Sequence, residues 1–375
     1  MEKTKDCMPP IRHIIIKPTL ACTAKCPTCA LRRQLHDDLN SGSTLSFDRW
    51  QEIFKEADSL GASYLTISGG EPTLYEHLPK LIRTGKSYGW QIRVNSNGSL
   101  ITKEYARCLL DAGLDVMCIS LYAISHDKMT AMRGNPTLWH KAANAISIFA
   151  ELEAAYPRFE IIGQTILSRD NYSDFPALLE LHAGLGSRSL TVSYLEGDFE
   201  KKYLLGMEEI KRFRKEVIPQ ALLFCNSQKT FTRLVARQNI KRIFSPAILS
   251  LSDWASGHYW RRERACHVPS TQVLILANGD VHPCYIIEYT HKPVVGNLFA
   301  QSLTDIWNGE IWRHYRTSLH EKCYLCPINR HIRIPLRPKS MISALYSVIF
   351  HNMALSHKTY WLISLWNIIR KRMSS

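Results

Sequence analysis

Seven of the eleven cysteines in this 375-residue chain stand in groups whose spacing suits metal binding. The first group is Cys22-Thr23-Ala24-Lys25-Cys26-Pro27-Thr28-Cys29, three thiols at C-x3-C-x2-C spacing that directly follow an apolar run. Three thiolates on one short loop suit an iron–sulfur cluster and leave one iron open for another ligand. Zinc is the alternative, although zinc sites favour paired C-x2-C units with a fourth ligand, and nothing nearby supplies one.

The second group consists of Cys266, Cys284, Cys323 and Cys326, at C-x17-C-x38-C-x2-C spacing. Four thiolates complete a closed tetrahedral set, so spacing alone leaves both structural zinc and a fully ligated iron–sulfur cluster open. The other cysteines are scattered, and Cys108 and Cys118 lie within apolar runs. We expect these two to be small buried hydrophobic residues.

Between residues 10 and 235, short apolar runs alternate with amphipathic segments that must position the first cysteine group. Strands are predicted at 13–16, 64–67, 91–94, 116–119, 160–166 and 189–192. Helices are predicted at 47–60, 75–87, 103–112, 137–154, 173–184 and 207–224. This alternation predicts an α/β fold with a parallel sheet, either open and doubly wound or an incomplete barrel, with ligands at the C-terminal ends of the strands.

The pattern changes after residue 262. The segment 273–284 reads as a β-hairpin, because Asn278-Gly279 is a strong two-residue turn signal between two apolar runs. Residues 229–262 show little periodicity beyond 234–243 and are interpreted as a connector. The predicted divisions are a core at 10–235, a connector at 236–262, a small domain at 263–335 and a tail at 336–375.

Further motifs at the predicted strand ends make the first cysteine group more specific. Ser68-Gly69-Gly70-Glu71-Pro72 follows the second strand, and Val94-Asn95-Ser96-Asn97-Gly98 ends the third. Together with the three cysteines, in this order, these segments resemble the signatures of the radical S-adenosylmethionine (SAM) superfamily. Arg133-Gly134 and the segment 168–171 also fall where that family has similar pieces. The resemblance implies a partial (β/α)6 TIM-like barrel over residues 10–235.

The same resemblance assigns cofactors to the motifs. It implies a [4Fe–4S] cluster on Cys22, Cys26 and Cys29, whose open iron takes the amino and carboxylate groups of SAM. Gly69, Gly70, Glu71 and Pro72 are then expected to hold the SAM amino group, and Asn95, Asn97 and Gly98 to contact its ribose. Paired glycines permit a close backbone approach, and a carboxylate suits an ammonium group.

The second cysteine group, with the segments 295–298 and 303–307, resembles the C-terminal auxiliary-cluster domain of radical SAM enzymes in its short "twitch" form. The longer "SPASM" form carries additional cysteines, which this chain lacks after Cys326. The resemblance implies one auxiliary [4Fe–4S] cluster bound by Cys266, Cys284, Cys323 and Cys326.

The chemistry implied is reductive cleavage of SAM, with an electron from a partner such as flavodoxin or ferredoxin, to a radical that abstracts hydrogen from a substrate C–H bond. A fully ligated auxiliary cluster can accept an electron from the substrate radical and so favours a net oxidation. A proton acceptor is then needed near the strand ends, although each candidate has a surface or packing role as its alternative. The candidates are Tyr122, His126, Tyr194, Glu196 and Asp198.

The net charge of +14 is concentrated in the tail. Residues 322–375 contain nine Lys or Arg and no Asp or Glu. Two aromatic-rich amphipathic segments, 341–354 and 360–373, are interpreted either as a packed helical pair or as a membrane-surface anchor. No recognised binding motif accompanies the charge, so nucleic acid is not expected as a partner. Without a secretory signal or a spanning apolar run, the chain is expected to be cytoplasmic, with membrane association through the tail as an option.

Two enzymatic functions remain. The first is oxidation or bond rearrangement of a small molecule or a sugar, free or lipid-linked. The alternative is a maturase that modifies a ribosomally made peptide; such enzymes often carry an N-terminal leader-binding domain, and here the predicted barrel begins near residue 12. A non-enzymatic iron–sulfur or zinc scaffold would leave the Gly69-Gly70-Glu71-Pro72 segment without a purpose.

Overall fold

A ten-stranded sheet organises the fold, in the strand order β10-β6-β5-β4-β3-β2-β1-β7-β8-β9. The structure is a computed structural model that describes residues 9–29, 31, 44–195, 202–246, 251, 268–284, 294–317 and 332–337. The strands are β1 (His13–Lys17), β2 (Tyr64–Ile67), β3 (Gln91–Ser96), β4 (Val116–Ser120), β5 (Glu160–Leu167), β6 (Ser189–Tyr194), β7 (Gln272–Leu276), β8 (Asp280–His282), β9 (Gly296–Asn297) and β10 (Ile332–Pro335). Strands β1 to β6 are all parallel and adjacent in chain order. This confirms the predicted α/β fold, with six strands of an incomplete barrel.

Helices connect these strands and cover the outer face of the sheet. They are α1 (Phe47–Ser59), α2 (Leu78–Ser87), α3 (Lys103–Asp111), α4 (His126–Arg133), α5 (Leu138–Leu152), α6 (Phe175–Gly184), α7 (Met207–Arg212), α8 (Ile218–Phe224), α9 (Thr230–Arg242), α10 (Leu303–Asn308) and α11 (Glu310–Thr317). Helix α1 shows how the sequence sets these boundaries. The Ser46 hydroxyl accepts a hydrogen bond from the Arg49 N–H and caps the helix. Three- and four-residue spacing then puts Trp50, Ile53 and Phe54 on the buried side.

The two faces of the barrel sheet differ in polarity because side chains alternate along a strand. The outer face carries residues such as Ile14 and Ile16, which belong to the large apolar core shared with the helices. The inner face is more polar, and its His13 ring nitrogen lies 2.8 Å from the Thr66 hydroxyl. Cys118 is buried on this inner face, as the sequence predicts, whereas Cys108 is exposed on α3.

The hairpin of β7 and β8 extends the barrel sheet directly. Strand β7 pairs in parallel with β1, and β8 returns antiparallel to β7, with Gly279 at a φ of 81° in the turn. That φ is the left-handed conformation that a tight hairpin turn needs and that glycine adopts easily. The predicted hairpin is therefore present, and it is hydrogen-bonded to the first strand of the core.

At the opposite edge, β10 pairs antiparallel with β6. The sequence division at 263–335 puts β10 in the small domain, whereas its hydrogen bonds join it to the core sheet. Helix α9 also crosses the expected boundary at residue 235, and its Asn239 side chain donates to the Arg333 carbonyl of β10 at 2.7 Å. The connector begins with a helix here because the segment packs its buried face against β10.

Within the described part of the chain, no helix has both the length and the apolar character needed to cross a membrane. The amphipathic tail segments at 341–354 and 360–373 lie outside the described residues, as do most of the connector and residues 263–267, 285–293 and 318–331 of the expected small domain.

Candidate active site

The first cysteine group follows β1 at the C-terminal edge of the barrel sheet, where all six parallel strands end. Backbone hydrogen bonds from the loop after β2 hold this segment, with the Gly70 N–H bonded to the Thr19 carbonyl at 2.9 Å and the Glu71 N–H bonded to the Ala21 carbonyl at 2.7 Å. From the far side, the Lys25 N–H donates to the Arg133 carbonyl at 2.8 Å. The cysteine loop is therefore fixed by segments after both β2 and β4.

The glycine pair after β2 makes this contact possible. A Cβ atom on Gly70 would lie 2.1 Å from the Ala21 carbonyl oxygen and 2.4 Å from that of Leu20, distances that real Cβ atoms do not reach. Gly69 has a φ of +134° and would similarly meet the Thr19 carbonyl. The pair is expected from the sequence to let backbone approach a ligand; in this structure it lets the loop after β2 approach the cysteine loop.

Glu71 is completely buried, and protein donors surround its carboxylate. Oε1 accepts from the Thr73 hydroxyl and the Ser96 hydroxyl, each at 2.7 Å, and from the Thr73 N–H at 3.2 Å. Oε2 accepts from the Asn97 N–H at 2.7 Å. The carboxylate that the resemblance assigns to the SAM amino group thus joins the end of β2 to the end of β3, while Pro72 begins the short helical turn after it.

The two asparagines at the end of β3 point to different places. The side-chain Oδ1 of Asn95 accepts from Arg93 Nε at 2.7 Å on the inner face of the sheet. The Asn97 amide instead reaches the cysteine loop, donating to the Thr23 hydroxyl at 2.9 Å and lying 3.8 Å from Cys22 Sγ. Gly98 follows at a φ of +78°, where its Cα lies against α5. The expected ribose contact of Asn95 and Asn97 therefore competes with bonds that both side chains already make.

Arg133, at the end of α4, is a buried cation beside the cysteine loop. Its guanidinium lies 4.5 Å from the centre of the Tyr122 ring. Burial alone would lower the pKa of Arg133, but the nearby Cys26 and Tyr122 groups raise it overall. Its Nε atom is buried and has no hydrogen-bond partner among the described residues. The side chain therefore offers a donor and a positive charge next to the thiols.

Lys17, to which the motifs above assign no role, is a second buried cation at this edge. It ends β1 five residues before Cys22. Burial lowers its pKa to about 8, and the nearby Cys29 partly offsets that effect. The sequence does place this lysine at the end of an otherwise apolar strand, shortly before a cysteine loop, and that position could have identified it as a candidate site residue.

The geometry of the described residues bears on the choice between zinc and a cluster. No three His, Cys, Asp or Glu side chains in the described ranges are arranged around a point where one metal ion could bind. A [4Fe–4S] cluster needs a different arrangement, because each cysteine binds a separate iron of the cube. Three thiols on one braced loop, with Arg133 and Lys17 to offset their negative charge, fit such a cluster.

The candidate proton acceptors occupy three kinds of position. Tyr122 is half-buried beside Arg133, and burial raises the pKa of its hydroxyl. His126 is exposed at the start of α4, with Nδ1 3.0 Å from an Asp127 oxygen. Tyr194 faces the helices and not the barrel interior, since its ring stacks on Phe244 at 4.1 Å and its hydroxyl accepts from the Phe244 N–H. Glu196 and Asp198 lie outside the described residues.

The outward position of Tyr194 follows from strand alternation. Ser189, Thr191 and Ser193 share the inner face of β6, so Tyr194 must share the outer face with Leu190 and Val192. This geometry favours a packing role for Tyr194 over proton transfer.

Of the second cysteine group, Cys284 is described and is buried just after β8. Two residues earlier, His282 is also buried, and burial lowers its pKa to about 4. Cys266, Cys323 and Cys326 lie outside the described residues.

Comparison with protein families places both cysteine groups in known domains. Residues 16–192 match the model described as the Radical SAM superfamily, and residues 266–327 match SPASM, an iron–sulfur cluster-binding domain. The first match contains Cys22, Cys26 and Cys29. The second spans Cys266 to Cys326 and is to the SPASM model, whereas the sequence favours the short twitch form because it lacks further cysteines after Cys326.

Individual relatives are similar over most of their length. A PqqA peptide cyclase of Xanthomonas campestris pv. campestris (strain 8004) is 22% identical over 329 residues, covering 85% of this chain and 80% of the relative. A tungsten-containing aldehyde ferredoxin oxidoreductase cofactor-modifying protein of Pyrococcus furiosus is 21% identical over 340 residues, covering 84% and 86%. The crystal structure of Streptococcus suis SuiB bound to precursor peptide SuiA covers 84% of this chain and 70% of that chain, with 18% identity and a TM-score of 0.61. At that identity the last comparison shows a shared fold.

Proposed function

This chain belongs to the radical SAM superfamily and carries a C-terminal SPASM domain, and on that basis we propose that it modifies a ribosomally made peptide. The observation that carries the proposal is the likeness to PqqA peptide cyclases, which extends over more than four fifths of this chain and about four fifths of the relatives. One solved structure that shares its fold with this chain, Streptococcus suis SuiB, was determined with a precursor peptide bound. Both observations favour the peptide over the small molecule or sugar that the sequence alone placed first.

The chain's own residues fit the cofactors that this family uses. Cys22, Cys26 and Cys29 would hold the [4Fe–4S] cluster, and SAM on its open iron would supply a radical able to abstract hydrogen from a C–H bond. The buried Arg133 would stabilise negative charge at this edge of the barrel, through the Nε donor that has no described partner. Glu71 would position the strand ends, because four protein donors occupy its oxygens.

Net oxidation of a peptide also needs a proton acceptor and a route for the second electron. Of the described candidates, Tyr122 lies against Arg133 beside the cysteine loop. Because burial raises the pKa of its hydroxyl, Tyr122 would stay protonated and would act as a relay that passes one proton on as it takes up another. We propose an auxiliary [4Fe–4S] cluster on Cys266, Cys284, Cys323 and Cys326 as the electron acceptor, with flavodoxin or ferredoxin as the reducing partner of the enzyme. The parallel pairing of β7 with β1 supports this, because it joins the hairpin before Cys284 to the strand before Cys22.

A small-molecule substrate is the second candidate function. It is favoured by the likeness to the Pyrococcus furiosus cofactor-modifying protein, which covers as much of this chain as the peptide cyclases do. The two candidates share the same cofactor chemistry and differ only in the substrate.

The deciding experiment follows hydrogen transfer. Deuterated peptides encoded by short reading frames beside the gene are incubated anaerobically with the reconstituted enzyme, SAM and a reductant. We expect deuterium in the released 5′-deoxyadenosine and loss of two hydrogen atoms from the peptide, both by mass spectrometry. Transfer from a deuterated sugar, free or lipid-linked, with none from the peptides, would support the second candidate and contradict the first.

Cysteine variants control this experiment. The triple variant Cys22→Ala/Cys26→Ala/Cys29→Ala should release no 5′-deoxyadenosine, and its iron content should fall from about eight to about four per chain. Cys108→Ala is the matched control, because that cysteine is exposed on α3 and belongs to neither group. It should retain both iron and activity.

A further inference from the structure

Asn97 is the residue that connects the end of β3 to the first cysteine of the loop. Its Nδ2 atom donates to the Thr23 hydroxyl at 2.9 Å and lies 3.8 Å from Cys22 Sγ. An amide –NH2 group has two hydrogens, so it can serve both acceptors at once. Asn97 thus brings a side-chain donor to the Cys22 sulfur, which also accepts from the Ala24 backbone N–H at 3.4 Å.

The other groups of Asn97 are also bonded, which fixes the direction of its side chain. Its N–H donates to Glu71 Oε2 at 2.7 Å, and its Oδ1 accepts from the Ser99 N–H at 2.9 Å. Asn97 is 4% exposed, so water does not compete for these bonds. The Ser99 hydroxyl in turn lies 2.7 Å from the Thr23 hydroxyl. The amide is therefore held toward the cysteine loop by the protein itself.

We propose that Asn97 is a positioning residue for the SAM-binding cluster, whose amide donates to Cys22 Sγ and raises the reduction potential of the cluster. A donor facing a cluster thiolate stabilises the reduced form more than the oxidised form, because reduction adds negative charge that the donor partly offsets. Glu71 supports this arrangement by holding the backbone of Asn97. The proposal rests on Cys22 as a cluster ligand, which belongs to the proposed function, and it does not depend on the substrate.

Two substitutions remove the donor and keep the other bonds. Asn97→Asp keeps an oxygen for the Ser99 N–H and keeps the backbone bond to Glu71, but it replaces the amide with a carboxylate. Asn97→Ser is neutral, keeps an oxygen that can accept from the Ser99 N–H, and is too short to reach Cys22. The reduction potential is measured by anaerobic EPR titration of the holoenzyme, on the signal that changes when SAM is added.

We expect both variants to have a lower potential than the wild type. For Asn97→Asp the one-electron reduction equilibrium should fall at least tenfold, which is about 59 mV. Asn97→Ser should shift in the same direction by a smaller amount, because it adds no charge. The signal of the auxiliary cluster, which does not respond to SAM, should stay in place and serves as an internal reference.

Matched variants separate a hydrogen bond to sulfur from other effects. Asn95→Asp introduces the same charge two residues earlier, on a side chain bonded to Arg93, and should shift the potential much less. Thr23→Val removes the second acceptor of the Asn97 amide. If Asn97 acted only by bracing Thr23, this variant would reproduce the loss; we expect the potential to remain at or above that of the wild type.

The remaining outcomes decide the proposal. An unchanged potential in Asn97→Ser with full iron content would overturn it, and so would equal shifts in Asn95→Asp and Asn97→Asp. If Asn97→Asp does not assemble a cluster, Asn97→Ser and Thr23→Val carry the test. Cys22→Ala separates the assignment of Cys22 as a cluster ligand from the role of Asn97. If the SAM-responsive signal survives in Cys22→Ala, the ligand assignment is wrong. If the signal is lost in Cys22→Ala but the potential of Asn97→Ser is unchanged, only the role of Asn97 is wrong.

Discussion

Glu71 illustrates how a single buried side chain can hold the strand ends around a site in place. A carboxylate with no solvent exposure is stable only where donors replace its water, and here two hydroxyl groups and two backbone N–H groups do so. The donors come from the segments after β2 and β3. The residue therefore fixes the relative position of two strand ends.

Glu71→Gln should destabilise the fold and reduce cluster loading. The –NH2 group of glutamine would replace one carboxylate oxygen and would face the hydroxyl or N–H donors that this oxygen now accepts from. This mismatch should lower the free energy of unfolding by about 1–3 kcal/mol. Urea unfolding and iron analysis of the anaerobic protein check this. Glu151→Gln is the control, because that carboxylate is exposed and pairs with Lys103 at 2.9 Å; its effect should stay below about 1 kcal/mol. Equal effects of the two substitutions would contradict the assigned role.

A second residue-scale prediction concerns His182 on α6, which is completely buried behind the sheet. Its Nε2 lies 3.1 Å from the Leu121 carbonyl, and burial lowers its pKa to about 4, with that hydrogen bond in partial opposition. Between pH 6.5 and 4 the unfolded chain therefore binds a proton that the folded chain does not. Stability should fall as pH falls through this window, with a contribution from His182 of about 2 kcal/mol at pH 5.

The measurement is the free energy of urea unfolding at pH 7 and at pH 5. His182→Gln should lose about 2 kcal/mol less on acidification than the wild type does, whatever its stability at pH 7. His140→Gln, on an exposed histidine of α5, should keep the wild-type pH dependence. A pH dependence of His182→Gln equal to that of the wild type would show that His182 titrates normally in the fold.

At the scale of elements, the important contact is between the loop after β1 and the loop after β2. Each loop follows the C-terminal end of a parallel strand. The positions of the two loops therefore follow from the pairing of His13–Lys17 with Tyr64–Ile67. The strand-end motifs of the sequence meet at one edge for this reason. Their close approach then depends on the absence of side chains at Gly69 and Gly70.

Gly70→Ala should separate these two loops. The new Cβ would fall 2.1 Å from a backbone oxygen that cannot move independently of the cysteine loop. We expect loss of the SAM-responsive EPR signal while the iron of the auxiliary cluster remains. Gly184→Ala, at the end of α6 with no atom within 4 Å of the added Cβ, should be neutral or stabilising by up to about 1 kcal/mol. A Gly70→Ala protein with normal SAM binding would contradict this account of the glycine pair.

At the scale of the whole molecule, both outer strands of the barrel sheet, β1 and β6, pair with strands from the C-terminal third of the chain. Strand β7 covers β1, and β10 covers β6. Arg333 on β10 connects to the core, with Nη2 2.8 Å from a Glu160 oxygen and Nε 2.6 Å from the Ser189 hydroxyl. Glu160 and Ser189 are the first residues of β5 and β6. This contact therefore lies at the N-terminal ends of the barrel strands, whereas the cysteine loop lies at their C-terminal ends.

Arg333→Ala should therefore affect stability and leave the cofactor site intact. Loss of charged hydrogen bonds at a mostly buried position should lower the free energy of unfolding by about 1–3 kcal/mol. Iron content and the SAM-responsive EPR signal should match those of the wild type. Arg313→Ala, on the exposed side of α11, should change neither quantity. A loss of iron in Arg333→Ala would show that the N-terminal and C-terminal ends of the barrel strands are coupled.

The sequence by itself determined the order of the six core strands, the six main helical segments that alternate with them, the parallel sheet and the family of the enzyme, whereas it missed helices such as α4 and α11. Apolar periodicity reports which local structure buries a segment, and the cysteine spacing with the Gly69-Gly70-Glu71-Pro72 segment is specific to one cofactor chemistry. The outward position of Tyr194 was also within reach, because the polar alternation of Ser189, Thr191 and Ser193 fixes the two faces of β6.

Only the tertiary structure decided which groups those side chains meet. The partners of the Glu71 carboxylate come from two different strand ends, and the Asn97 amide reaches a loop 74 residues away in the chain. The pairings of β7 with β1 and of β10 with β6 are likewise long-range. Hydrogen bonds of this kind depend on strand register and on the packing of distant segments, which local sequence patterns do not encode.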